Sequence, residues 1–121
     1  MNISITKTTT PIEKPTKDLG FGKYFTDHMF IMDYVAGEGW KDARIVPFAP
    51  ISLHPAATVF HYGAEVFEGL KAYRREDGEI QLFRPIENAR RINNSAERIR
   101  LPEIPEEDFI QALTELVKLD A

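Results

Sequence analysis

The chain has 121 residues, 43% of them hydrophobic and 28% charged, which is enough for one soluble domain around one core. Its net charge of −4 weighs against a nucleic-acid binder held mainly by phosphate contacts, and the absence of cysteine rules out disulfides, thiolate chemistry and cysteine-based metal sites. The opening residues, MNISITKTTTPIEKPTK, lack an apolar core of signal-peptide length, and no apolar run approaches the length of a membrane helix. A cytoplasmic protein without membrane partners is the expectation.

Residues 1–19 are rich in Thr, Lys and Pro, and Pro11 and Pro15 break any regular element. They predict an extended or mobile arm. A nearly continuous apolar and aromatic run follows, with Phe25, Met29, Phe30, Ile31, Met32, Tyr34 and Val35, and suits a buried strand. Gly37 to Trp40 marks a turn. Arg44 to Ser52 returns as extended chain, and Pro47 and Pro50 point to an edge or bulged strand. A short helix is predicted from Gly63 to Gly69 and a strand from Leu70 to Arg75. Asp77-Gly78 favours a two-residue type I′ turn into a strand from Ile80 to Phe83.

Pro85 opens a helix at its favoured first-turn position. Ala89, Ile92, Ala96 and Ile99 follow at spacings of three and four, so that face is buried, and Leu101-Pro102 ends the helix. Pro105 and the acids Glu106, Glu107 and Asp108 start a last helix, with the acids at its positive dipole end. Phe109, Leu113, Leu116 and Val117 form its apolar stripe. Strands come first, then a short helix, a hairpin and two helices. This order predicts an α+β fold with a mainly antiparallel sheet and helices packed on it. The last helix runs almost to Ala121 without a cap signal or polar tail, which reads as a truncated chain.

Few residues stand out chemically on spacing alone. His28, His54 and His61 lack the spacing of a zinc motif and read as satisfied or partly exposed histidines. Lys71 reads as either a sheet-surface lysine or one salt-bridged to Glu68, rather than a desolvated nucleophile. Glu65 and Glu68 share a face of the predicted short helix and read as solvated acids rather than an acid–base pair. Arg84, Arg90, Arg91, Arg98 and Arg100 make the Pro85 helix basic. Arg91 lies at the edge of its apolar stripe, where a guanidinium can reach inward and take a phosphate. Spacing alone favours a solvated basic face. Tyr62 and Phe67 flank a glycine-containing turn; spacing alone favours a core for both, and the alternative is the aromatic wall of a pocket.

Four separated segments in one order carry more than any of these residues singly. They are FGKYFTDHM at Phe21 to Met29, SLHP at Ser52 to Pro55, HYGAEVFEGLKAYR at His61 to Arg74, and LFRPIENARRINNSAERIRLP at Leu82 to Pro102. Together the chain resembles the amino-terminal part of branched-chain amino-acid aminotransferases, the fold-type IV enzymes that use pyridoxal 5′-phosphate. The resemblance implies a homodimeric enzyme that exchanges the amino group between leucine, isoleucine or valine and 2-oxoglutarate. The cofactor carries the chemistry, and the protein supplies orientation and a pocket. Arg91 matches the family's cofactor-phosphate arginine, against the preference from spacing. Tyr62 and Phe67 match aromatic walls of the substrate side-chain pocket, and Phe21 matches a third.

The resemblance also implies an incomplete site. The family's cofactor-bearing lysine lies in a second, carboxy-terminal domain, and Lys71 does not match it. Residues 20–121 correspond to an incomplete small domain, expected to be inactive alone and to bind the cofactor weakly or not at all. Tyr62, Phe67 and the Arg91 side of its helix are expected at an open surface. The competing readings are a stand-alone, non-catalytic interaction domain of the same fold and, less well supported by the charge, a basic-helix nucleic-acid module.

Overall fold

The computed structural model describes all 121 residues. In chain order the elements are β1 (Ser4–Ile5), β2 (His28–Val35), β3 (Gly39–Pro47), α1 (Thr58–His61), β4 (Ala72–Arg74), β5 (Ile80–Leu82), α2 (Pro85–Arg98) and α3 (Glu106–Asp120). The fold is α+β. β2 and β3 pair antiparallel, β1 joins the free edge of β3 in parallel, and β4 and β5 form a separate antiparallel ribbon.

The first hairpin turns at Gly37, whose positive φ of 84° suits glycine. Its register shifts between Ile31 and Asp33, so that Asp42 and Ala43 oppose Met32 alone. This is a β-bulge, with Asp42 in the left-handed region at φ 55°. Arg44 Nη1 pins it by donating to the Asp42 carbonyl at 2.8 Å and to the Asp33 carboxylate at 2.9 Å. The bulge lets β3 begin at Gly39, earlier than the turn residues of the sequence suggest. β3 is bulged as expected but central rather than an edge strand. Pro47 is tolerated because β1 pairs with β3 only at Arg44 and Ile45.

Two sequence expectations fail locally. There is no helix from Gly63 to Gly69; the only helical turn is α1, and irregular chain follows. Gly63 sits at φ 57°, and Glu65 N–H bonds back to the Gly63 carbonyl at 2.8 Å, so the chain turns too tightly for a helix to propagate. The second hairpin does not use a type I′ turn. Only Gly78 is left-handed (φ 85°), Gly78 N–H donates to the Arg75 carbonyl at 3.0 Å, and Arg75 pairs Glu79 at 2.8 Å. That is a three-residue loop with a glycine bulge.

The core lies between the first sheet and the helices. Ile45 and Ala43 of β3 are buried, as are Ala89 and Ala96 of α2 and Ala112 of α3. Phe30 and Met32 of β2 face Phe109, Leu113 and Leu116 of α3 across an apolar cleft. α2 ends in a Schellman motif: Leu101 N–H donates to the Ala96 carbonyl and Arg100 N–H to the Glu97 carbonyl, with Arg100 left-handed at φ 62°. Ile99 therefore caps the helix and is exposed rather than completing the buried stripe. The Asn93 side chain makes two hydrogen bonds to the Ile104 backbone, and Trp40 Nε1–H donates to the Glu103 carbonyl. These fix the α2–α3 connection against the sheet.

Residues 1–14 run along the domain and are tied to it repeatedly. β1 pairs with β3, the Met1 amino group donates to Gln111 of α3 at 2.9 Å, Thr8 N–H donates to His28, and Ile12 N–H donates to Asp27.

Candidate functional site

The site candidates lie on α2 and on the irregular chain before β4. α2 is a regular amphipathic helix, so Asn88 and Arg91, three residues apart, project from one side of it. The chain from Gly63 to Lys71 has no ladder to satisfy its polar groups and takes them from α2. Asn88 Nδ2 donates to the Gly69 carbonyl at 3.2 Å and to Oε1 of Glu68 at 2.9 Å. Arg91 Nε donates to Oε2 of Glu68 at 2.6 Å, and its Nη2 donates to Oε1. Gly69 N–H adds a bond to the same carboxylate at 3.0 Å.

Glu68 thus receives hydrogen bonds from two side chains and one backbone amide, and its side chain retains only 4% of its exposure, against 67% for Arg91. The Arg91 hydrogen bond is the main reason its carboxyl is pulled down to about 2. Burial opposes this, and the bonds from Asn88 and Gly69 reinforce it. Arg91 is raised in turn by its bond to Glu68. The pairing is one-sided. Nε and one Nη2 proton are engaged, while the Nη1 edge finds no acceptor in the protein and faces solvent. A guanidinium held this way is oriented along one edge and offers a planar fork of N–H donors along the other. That donor set fits one oxyanion, such as a phosphate.

The Phe67 ring folds back over Gly69, within 3.6 Å of where a Cβ on that glycine would stand. Arg91, Glu68, Gly69 and Phe67 are therefore one cluster. Tyr62 and Phe21 are not bonded or stacked to it. Phe21, Tyr62 and Phe67 retain 96%, 85% and 83% of their exposure, so none of the three is a core residue in this chain.

Glu68 is the site residue that sequence pattern does not reveal, since spacing places it on a solvated helix face near Lys71. The helix is absent and Lys71 forms no ion pair, because Asn88 and Arg91, twenty and more residues later, take the carboxylate. The only local hint was an acid in an aromatic, glycine-rich stretch. The histidines are satisfied: His54 Nδ1 accepts from Ala56 N–H at 3.0 Å, His61 bonds the Pro55 carbonyl, and His28 is buried against Asp120.

An α+β unit that leaves an aromatic segment and a one-sided arginine on its surface has the form of a domain contributing part of a binding site. Comparison with known proteins gives the class: the similarity is to branched-chain-amino-acid aminotransferases. The chain is 56% identical over 109 residues to "Branched-chain-amino-acid transaminase 1" of Bacillus subtilis, covering 89% of this chain and 31% of that protein. It is 55% identical over 101 residues to the Mycolicibacterium smegmatis branched-chain-amino-acid aminotransferase, covering 84% of this chain and 27% of that protein. It is 50% identical over 119 residues to a probable branched-chain-amino-acid aminotransferase of Staphylococcus aureus strain N315, covering 98% of this chain and 33% of that protein. No protein-family model matches the chain. The motif resemblance therefore holds across nearly all of the sequence, and the chain spans about a third of the length of the curated relatives it matches. No helix is long and apolar enough to cross a membrane.

Proposed function

We propose that this chain is part of a pyridoxal-phosphate-dependent branched-chain aminotransferase acting in the cytoplasm as a homodimer, with amino acids and 2-oxo acids as substrates. Residues 20–121 contribute the small domain, and residues 1–19 an arm along it. Arg91 holds the cofactor phosphate on its free Nη1 edge, and Tyr62, Phe67 and Phe21 wall the pocket for the aliphatic side chain. Burial of such a side chain against rigid rings is favourable by roughly 1.5–3 kcal/mol, which suits substrates that differ by a methylene. The observation that carries the reading is the Arg91 guanidinium, oriented by Glu68 on one edge and unpartnered on the other, beside the exposed Phe67 ring.

When bound, pyridoxal phosphate supplies the electron sink for the amino-group exchange. This chain's residues bind and orient; none carries the cofactor, and Lys71 has no such role. On this reading the lysine that does belongs to the rest of the enzyme, and this chain alone does not turn over substrate.

Two measurements test this. Incubating the chain with pyridoxal phosphate and borohydride gives no stoichiometric lysine adduct by mass spectrometry and no turnover of leucine; an adduct with turnover overturns the inactivity. Replacing the matching 31% of the Bacillus subtilis enzyme with this chain restores leucine:2-oxoglutarate exchange. Arg91→Ala in that chimera weakens cofactor binding about tenfold or more, the loss of a charge-assisted bidentate contact. An active chimera indifferent to Arg91→Ala removes the phosphate role.

A further inference from the structure

Away from the Arg91 cluster, one buried side chain joins three segments that are distant in sequence. His28 opens β2 and is buried. Its Nδ1 lies 2.6 Å from Oδ1 of Asp120, in the last turn of α3, and its backbone N–H donates to Oδ2 of the same carboxylate at 3.1 Å. On the other side of the ring, Nε2 lies 2.9 Å from the backbone nitrogen of Thr8, in the arm. A backbone N–H can only donate, so Nε2 is the acceptor. The ring is therefore neutral here, with its proton on Nδ1 and donated to Asp120.

The two contacts respond in opposite ways to a second ring proton. With both nitrogens protonated, the Asp120 contact becomes an ion pair and persists. At Thr8, two donors face each other and the hydrogen bond is lost. Burial pushes the Asp120 carboxyl up, but hydrogen bonds from Thr26 and His28 outweigh it and hold the carboxyl below its ordinary range. Asp120 thus stays the ionised partner as the ring charges. The other charged groups around the pair do not compete for Nε2. Lys14 Nζ bonds the Asp120 backbone carbonyl, Asp27 Oδ1 accepts the Ile12 N–H at 3.0 Å, and Arg74 lines the groove that Asp120 borders. α3 is held by His28 in both charge states, the arm in only one.

We propose that His28 is a pH-sensitive clasp for the arm: protonation of its ring releases the chain around Thr8 while β2 and α3 stay docked. The released stretch is short, because Thr6 N–H still donates to the Ile45 carbonyl and Ile12 to Asp27. Thr8 and Thr10 line an open groove of about 800 Å³ together with Phe25 and Phe48. Opening the clasp therefore changes the lining of that groove. The sign is set by the neutral-ring contact: the Thr8 tie is present while the ring is neutral and is lost when Nε2 takes up a proton.

The test is amide hydrogen exchange by NMR on the chain, corrected for intrinsic rates, from roughly pH 7.5 to pH 5, the range in which histidines change charge. Thr8 protection falls by about tenfold or more while amides of β2 and α3 hold theirs, and the midpoint coincides with protonation of His28 Nε2 followed by its ¹⁵N shift. In His28→Gln the side-chain carbonyl can accept from Thr8 at every pH, and the fall disappears. Thr8 protection that does not track the ring, an equal fall in β2 and α3, or an undiminished fall in His28→Gln each overturns the clasp. If His28→Gln does not fold, coincidence of the two midpoints in the unaltered chain decides.

Discussion

The Glu68 carboxylate shows how much one residue's behaviour depends on partners far along the chain. Its carboxyl lies at about 2, below the ordinary 4.5, because Arg91 and Asn88 bond its charged form. A depressed folded-state value stabilises the fold fully above the unfolded value, and that contribution is lost as the pH falls from about 4.5 through about 2. Glu68→Gln is expected to destabilise the chain by about 1 kcal/mol at neutral pH, the usual net worth of such hydrogen bonds. It should also flatten the acid limb of the stability profile. Urea unfolding near neutral pH and at roughly pH 3 checks both; an acid limb as steep in the variant as in the unaltered chain would show that the slope arises elsewhere. Lys71, by contrast, has no carboxylate partner, and Lys71→Ala should change stability by less than about 0.5 kcal/mol, as surface substitutions commonly do.

At the scale of elements, the two long helices follow their sequence signals, while the short helix predicted over Gly63–Gly69 and the second hairpin turn do not. Pro85, the α2 stripe and the acids opening α3 give helices at Pro85–Arg98 and Glu106–Asp120, because periodicity and first-turn chemistry are local. The start of β3, its central place in the sheet and the Asp77-Gly78 loop depart from the sequence pattern because the same residues serve several turn geometries, and strand pairing selects among them. The α2 Schellman motif places Arg100 where glycine is usual. Arg100→Gly relieves left-handed strain but loosens the unfolded chain, leaving a net gain of about 0.5–1 kcal/mol. A raised thermal midpoint checks this; a lowered one would show that Arg100 contributes contacts worth more than the strain. In the centre of the sheet, Ile45 is fully buried between β1 and β2, and Ile45→Ala should cost about 2–5 kcal/mol, read as a lower urea midpoint.

For the whole molecule, the surface is the decisive quantity. A folded monomer of this mass exposes roughly 6,600 Å², whereas this chain exposes 9433 Å² and buries only six of 121 residues. The surplus includes Phe48, Ile51, Leu53, Phe60, Tyr62 and Phe67, all exposed and drawn from one stretch of chain. Apolar surface of this extent is normally covered. The chain should therefore self-associate as its concentration rises, and Tyr62→Ser with Phe67→Ser should reduce that association. Sedimentation velocity over a wide concentration range checks it; a strictly monomeric species at the highest concentration counts against the surface being adhesive.

The sequence by itself determined the α+β class, both long helices, the two hairpins and the aminotransferase resemblance, because each rests on local periodicity or on motifs in a fixed order. It also singled out Arg91, but only through its motif, since spacing made it one arginine among several on a basic face. The tertiary structure decided the rest. It brought Glu68 to Arg91 across 23 residues and His28 to Asp120 across 92, and for Tyr62 and Phe67 it decided between the core that spacing favours and the open surface that the resemblance implies. Such contacts depend on how the elements pack. A carboxylate or an imidazole carries no local mark of the partner that packing will place within hydrogen-bond reach.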